Sequence, residues 1–574
     1  MTCDIKCHNL GDNPSFEAIS YVWGSLVRDQ TITCNGGLLY ITPNLQRSLR
    51  QVRLETAARV LWVDSICINQ DDDKEKGHQV SLMAQIYSQA ERVLVTLGTD
   101  ETSSAHSQLT VTLVQEISQL VESTIKRISK TWNSYPYDQA DHKILSDPRW
   151  ESFDHLISHP WFKRGWVVQE AGLGHDVRIL WGVDNFSWID IMRTYVWLSA
   201  RATSSQSSIE RRIPGLHLDI YERQHLLETR TFHPKQNKKM GDNVLNLLCN
   251  ARRLELTDRR DRIYAFIGLP GFQKLSLDIV VDYDKSWAEV YYDVAHWHVV
   301  STKRLLILHY VEHDQETLAS DHPSWVPQWH TRQYAEILRS EGRDKGIISH
   351  TSPPAHLDIT SSRKLHVRGN IMDTIEFASG TFRSEPSIEE IAAVWARSRQ
   401  RIECNAYKHF SPLLAFVGAL VADRRSPDTA EGTITLHLAA FLQELFGKEC
   451  FQQEPKFSGD WGALENGDAR KVHFVVARNV LNRKFVVTKR GFFGLAPGVA
   501  AEGDLYSVLF GADTPFVLRT TDHKEYYRLV GEGSLVSSQD TEKHYSLPYR
   551  MGSGTNARED WTEWGLREED ILLF

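Results

Sequence analysis

Glu170 is the residue in this chain whose neighbours most suggest chemistry. It follows Trp166 by four positions in HPWFKRGWVVQEAGLGHDVRILWG, residues 159–182, and Phe162 precedes Trp166 by the same step. Pro160 suits the first position of a helix, and Gly172 and Gly174 suit its end. One helix is therefore expected here, with Glu170 on its aromatic face. A carboxylate held against an indole is poorly solvated, which raises its pKa unless a cation compensates. Arg164 is close in sequence, but about 600° of rotation, at about 100° per residue, would separate it from Glu170 on a helix. On spacing alone, a structural cap or ion pair is the plainer account of Glu170.

What gives Glu170 a second role is the set of residues expected around it. The apolar run Val60, Leu61, Trp62, Val63 stops at Asp64 and Ser65 and reads as a buried strand of a parallel sheet. FEAISYVW, residues 16–23, alternates and ends at Gly24, a first strand that delivers Ser20, Tyr21 and Trp23 near its carboxyl end. In such sheets ligands bind just beyond the carboxyl ends of the strands. Strand ends thus bring Ser20, Tyr21, Trp23, Asp64 and Ser65 toward one candidate ligand site, and Glu170, near Trp166, is the residue there most suited to chemistry.

The elements that must hold them are legible by period. After the polar loop through Asn69 and Asp71 to Asp73, Val80, Met83, Ala84, Tyr87 and Ala90 recur at helical steps, and Val93 to Leu97 close a β-loop-α-β unit with parallel strands. Asn35-Gly36-Gly37 splits two short runs into a hairpin, since that turn favours positive φ. Helices are expected over 42–58, 107–128 and 149–157, and a further strand over 177–181. Trp132 to Pro148 reads as an exposed insertion and Arg201 to Arg212 as a polar stretch. Three regions follow: an α/β domain over 1–185, a mainly helical region over 186–355, and a C-terminal α+β region over 356–574. The last carries a β-rich module at about 470–540, where HFVVAR, KFVVTK, FFGLAP, LYSVLF, PFVLR and YYRLVG suggest a small antiparallel barrel or sandwich.

Other chemistry is weaker. No GxGxxG, Walker loop, GxSxG or HExxH occurs. His309 and His313 sit at helical metal-pair spacing, with His296 and His298 nearby, but no matched carboxylate or cysteine accompanies them, and no metal is expected. Cys67 with His78 or His159 is the thiolate alternative. Asp71 to Asp73 read as a solvated loop and helix start.

The chain of 574 residues is 41% hydrophobic and 24% charged, with a formal charge of -9 and a pI near 6.3. That balance argues against nucleic-acid binding, which needs a basic face. No window approaches 18 consecutive apolar residues, so no membrane span is expected, and MTCDIKCHNLGD lacks a signal-peptide core. Seven scattered cysteines form no disulfide framework, which fits a reducing, cytoplasmic address.

At this point FEAISYVWG, LWVDSICINQDDDKEKGHQVSLMAQIYSQAERVLVTLG and HPWFKRGWVVQEAGLGHDVRILWG resemble the three successive motifs of the heterokaryon incompatibility (HET) domain of filamentous fungi. Downstream, DRRDRIYAFIGLPG, DYDKSWAEVYYDVA, PSWVPQW and FFGLAPGVAAEGDLYSVLFGADTPFVLR resemble the long proteins of that family. Their usual Tyr-Val-His-Gly-Ile-Met ending is replaced here by Gly533-Ser534-Leu535-Val536. The resemblance implies a trigger of regulated cell death in non-self recognition, with self-association and an unidentified protein partner from an incompatible strain. HET domains are also similar, more remotely, to TIR domains, which have a flavodoxin-like parallel sheet and in many cases cleave NAD at the nicotinamide glycosidic bond. On that likeness Ser20 and Tyr21 match the first TIR strand, Asp64 and the loop from Asp71 to Gly77 match the loop after the second, and Trp166 with Glu170 matches the TIR tryptophan and catalytic glutamate. NAD would then be a substrate, with no cofactor required. A non-enzymatic interaction module that assembles a death-signalling complex is the alternative.

Overall fold

The computed structural model describes residues 1–128, 142–199, 240–269, 272, 279–332, 335–338, 357–400, 406–407, 412–422, 431–447, 467–512, 514–523, 526–536 and 565–574. Most of the insertion expected at 132–148 and all of the stretch 201–212 lie outside the described residues. The chain divides into two compact units, residues 1–290 and 291–574.

In the first unit, alternation in FEAISYVW becomes strand β2, Glu17–Tyr21, the second strand after the short β1, Thr2–Cys3. The hairpin forms as β3, Gln30–Cys34, and β4, Gly37–Ile41, with Asn35 at φ 49° and Gly36 at φ 79° supplying its turn. β5, Leu61–Trp62, pairs parallel with one side of β2, and β6, Arg92–Thr96, pairs parallel with the other. The strands of the β-loop-α-β unit are thus parallel but not adjacent, because β2 lies between them. β7, Val177–Trp181, extends the sheet in parallel and β8, Asp184–Ser187, closes it antiparallel, giving the order β5-β2-β6-β7-β8.

The crossover helix Asp73–Gln89 starts where Asp72 accepts hydrogen bonds from the Lys74 and Glu75 amides at 3.0 and 3.1 Å, so the acidic loop is a helix cap. Strand periodicity sorts β2 between two faces. Ile19 and Tyr21 join Ile32, Ile41, Leu45, Val52, Val63 and Leu94 in one apolar cluster, with hairpin and first helix laid on that side. Ala18 and Ser20 therefore point to the opposite face.

Two expectations fail. The helix expected from Pro160 to Gly172 is interrupted: a 3-10 turn covers Pro160–Lys163, Arg164 is extended at φ -70° and ψ 136°, and the helix proper is Val167–Leu173. At the break the Gly165 amide donates to the Glu255 carbonyl at 2.9 Å, and Gly165 packs beneath Leu256 so closely that a Cβ there would stand 2.5 Å from its side chain. HFVVAR is also not a strand. It lies in the helix Ala469–Val480, capped by Asp468 accepting from the Arg470 amide, with Ala469, Val476 and Val480 buried at helical steps.

The second unit holds a nine-stranded sheet of β9, Asp358–Ile359; β10, Leu365–Ala378; β11, Arg483–Thr488; β12, Phe493–Pro497; β13, Leu505–Leu509; β14, Phe516–Thr520; β15, Tyr526–Glu532; β16, Ser534–Leu535; and β17, Glu569–Leu573. The long β10 pairs with both β13 and β17, and that double pairing closes a mainly antiparallel barrel through β14 and β15. The expected β-rich C-terminal region is present.

Candidate functional site

Ser20 and Glu170 meet. The Ser20 hydroxyl donates to Glu170 Oε2 and accepts from Trp161 Nε1 at 2.7 Å, and all three residues are buried, Glu170 to 2% exposure. The aromatic neighbour that matters is thus Trp161, reached across Ser20. Trp166 turns away, its Nε1 donating to Asp261 Oδ2 at 3.3 Å. Once Arg164 and Gly165 break the helix, Phe162 is out of step with Trp166 and Glu170, while the Glu170 amide still donates to the Trp166 carbonyl at 3.2 Å.

The remaining candidates pair with one another at the carboxyl end of β2. Trp23 Nε1 donates to Asp64 Oδ2 at 2.8 Å, the Ser65 amide donates to Asp64 Oδ1 at 2.7 Å, and the Tyr21 hydroxyl donates to Ser65 Oγ at 2.7 Å. Trp23, Asp64 and Ser65 keep partial exposure, whereas Ser20, Tyr21 and Glu170 do not. Half-exposed groups lie beside a sealed Ser20–Glu170 pair.

Electrostatics ties the two groups together. Burial pushes the Glu170 carboxyl up to about 7, aided by the charge of Asp64 and opposed by Arg164 and the Ser20 hydrogen bond. Burial likewise raises Asp64, against Arg164 and the bond from Trp23. Arg164, half-buried, also bears on the hydroxyls of Tyr21 and Tyr87. Among the described residues its guanidinium has no hydrogen-bond or ion-pair partner. Sequence spacing pointed to neither Trp161 nor Arg164. The signal was Gly165, a breaker inside an otherwise helical run.

The alternatives resolve differently. His309 lies in a 3-10 turn, Leu306–Tyr310, and its Nδ1 meets Glu532 Oε1 at 2.8 Å, while His313 Nε2 meets the Ser324 carbonyl at 2.9 Å. Against the burial that would raise it, His309 and Arg483 hold Glu532 down at about 2. These histidines serve the second unit's interior and do not face a common point. Burial pushes the Cys67 thiol up, and the charges bearing on it are Asp64, Cys34 and Cys7. No helix among the described residues is long and apolar enough to cross a membrane.

Two stretches of the chain match known families, one over the sheet that holds Ser20 and Glu170 and one over part of the C-terminal barrel. Residues 16–170 match the heterokaryon incompatibility protein (HET) family and residues 449–540 match the Het-6 β-barrel domain, so the chain carries a HET domain and a Het-6 barrel domain. It is similar along its length to heterokaryon incompatibility protein 6, OR allele, of Neurospora crassa, with 23% identity over 646 aligned positions covering 95% of this chain and 93% of that protein. No solved structure matches it.

Proposed function

We propose that this protein triggers regulated cell death on non-self recognition by cleaving NAD at the nicotinamide glycosidic bond, with Glu170 as the working carboxylate of a TIR-like, flavodoxin-like domain. The observation that carries the reading is Glu170 itself. Its carboxyl sits against Ser20 at the edge of a parallel sheet, pushed up to about 7, and so is divided between its two protonation states near neutral pH. In the proposed reaction the bond between ribose C1′ and the nicotinamide nitrogen breaks and its electron pair leaves with nicotinamide. Ionised Glu170 holds the ribose hydroxyls and stabilises the oxocarbenium-like centre. Water then adds to C1′, its proton passes to Glu170 and on to solvent, and ADP-ribose remains. Trp23, Asp64, Ser65 and Tyr21 shape the mouth, and Arg164 faces the phosphates.

With Glu170 at 2% exposure, the described state is the resting one in this proposal, and self-association in the cytoplasm opens it. The test is nicotinamide release from NAD by concentrated full-length protein. Release at least a hundredfold faster for wild type than for Glu170→Gln supports the reading, and equal background release overturns it. The same burial favours one alternative, in which Ser20 and Glu170 form an internal lock of a non-enzymatic module that assembles a death-signalling complex with a protein partner. Toxicity with intact NAD would select it.

A further inference from the structure

Residues 254–269 and 279–283 follow the matched HET stretch, which ends at Glu170 itself. They nonetheless touch the approach to Glu170 position by position. Glu255 pairs with the chain through its backbone, its amide donating to the Lys163 carbonyl at 2.6 Å and its carbonyl accepting from the Gly165 amide at 2.9 Å. Leu256 covers Gly165. Asp261, 8% exposed, holds the Trp166 indole through Oδ2 and accepts from the Tyr283 hydroxyl through Oδ1 at 2.8 Å. Gly268 lies against Gln169, where an added Cβ would come 2.7 Å from Oε1, and against Ala84 of the helix Asp73–Gln89. At the far end Val281 and Tyr283 close on Gly77 of that same helix, with Lys76 Nζ 4.1 Å from the centre of the Tyr283 ring.

Four successive anchors on 163–169 thus match successive anchors on 255–268, and Val281 and Tyr283 are tied to the helix Asp73–Gln89. Arg260 adds internal bracing, bonding Asp258 at 2.7 Å and the Tyr283 carbonyl. The helix Val167–Leu173 has seven residues, too few to hold its own geometry in water, so its orientation depends on what packs around it.

We propose that residues 254–269, together with Val281 and Tyr283, are a positioning clasp for Glu170, with Asp261 acting through Trp166 and Gly268 through Gln169. The site is then completed by a segment outside the matched HET stretch, and loosening the clasp is the step that frees the carboxyl. The catalytic consequence rests on the function proposed above; the positioning itself does not.

The test is amide hydrogen exchange on the full-length protein, read by peptide mass spectrometry. Asp261→Asn keeps the shape but leaves only one carbonyl oxygen for two facing donors, and Gly268→Leu drives a side chain into Ala84 and Gln169. Exchange over 163–173 at least tenfold faster than wild type in both variants, with strand Arg92–Thr96 unchanged, supports the clasp. Exchange over 163–173 within twofold of wild type in Asp261→Asn overturns it. So does acceleration spread equally over 163–173 and Arg92–Thr96 in that variant, which would mark a general loss of stability. If Gly268→Leu loses protection throughout 1–290, the isosteric variant decides. The exchange readout consumes no NAD: an inert protein with selective acceleration keeps the clasp and loses the enzyme, and an active protein with unchanged exchange does the reverse.

Discussion

Glu170 carries its proton more tightly in the folded chain than out of it, because burial raises the carboxyl from 4.5 to about 7. A raised acid pKa stabilises the fold fully below the unfolded value, and that contribution is lost as pH rises through the folded value. Asp261, raised from 3.8 to about 6 by burial, has the same sign in a lower window. Denaturant unfolding of the first unit should therefore be more favourable at pH 8 than at pH 5, by on the order of 2 to 3 kcal/mol from Glu170. Glu170→Gln should remove most of that dependence. A variant whose pH slope equals that of wild type would mean that Glu170 ionises as an ordinary surface carboxylate. The places of Ser20 and Asp64 at strand ends were legible because strands follow period and stop at polar residues. Trp161 was not, since its approach to Ser20 requires a turn that periodicity does not encode.

Elements were more readable than their breaks. The strands at 17–21, 61–62, 92–96 and 177–181 and the hairpin turn follow from apolar runs stopped by polar or glycine residues. Strand order was not readable, because placing β2 between β5 and β6 depends on packing across the sheet. The helix Ala469–Val480 shows the opposite failure. Four residues of HFVVAR imitate a strand, while the evidence for a helix sits at the flanks, in Asp468 and in the step from Val476 to Val480. Asp468→Ala should destabilise the second unit by about 1 kcal/mol through loss of the cap. Equal urea midpoints for variant and wild type would show that packing alone holds that helix.

For the whole molecule, the resemblance to HET proteins reaches both ends of the chain, and the two units carry distinct devices: a sheet with a sealed acidic site, and a closed barrel with a buried His309–Glu532 pair. A sealed site suits a trigger, since a chain that consumed NAD continuously would kill its own cell. The most direct measurement follows the NAD pool and viability together in fungal cells induced to express the full-length chain, as wild type and as Glu170→Gln. The account predicts that NAD falls before viability with wild type and that neither falls with the variant expressed at the same level. Cells dying with their NAD intact, and dying equally with Glu170→Gln, would contradict it.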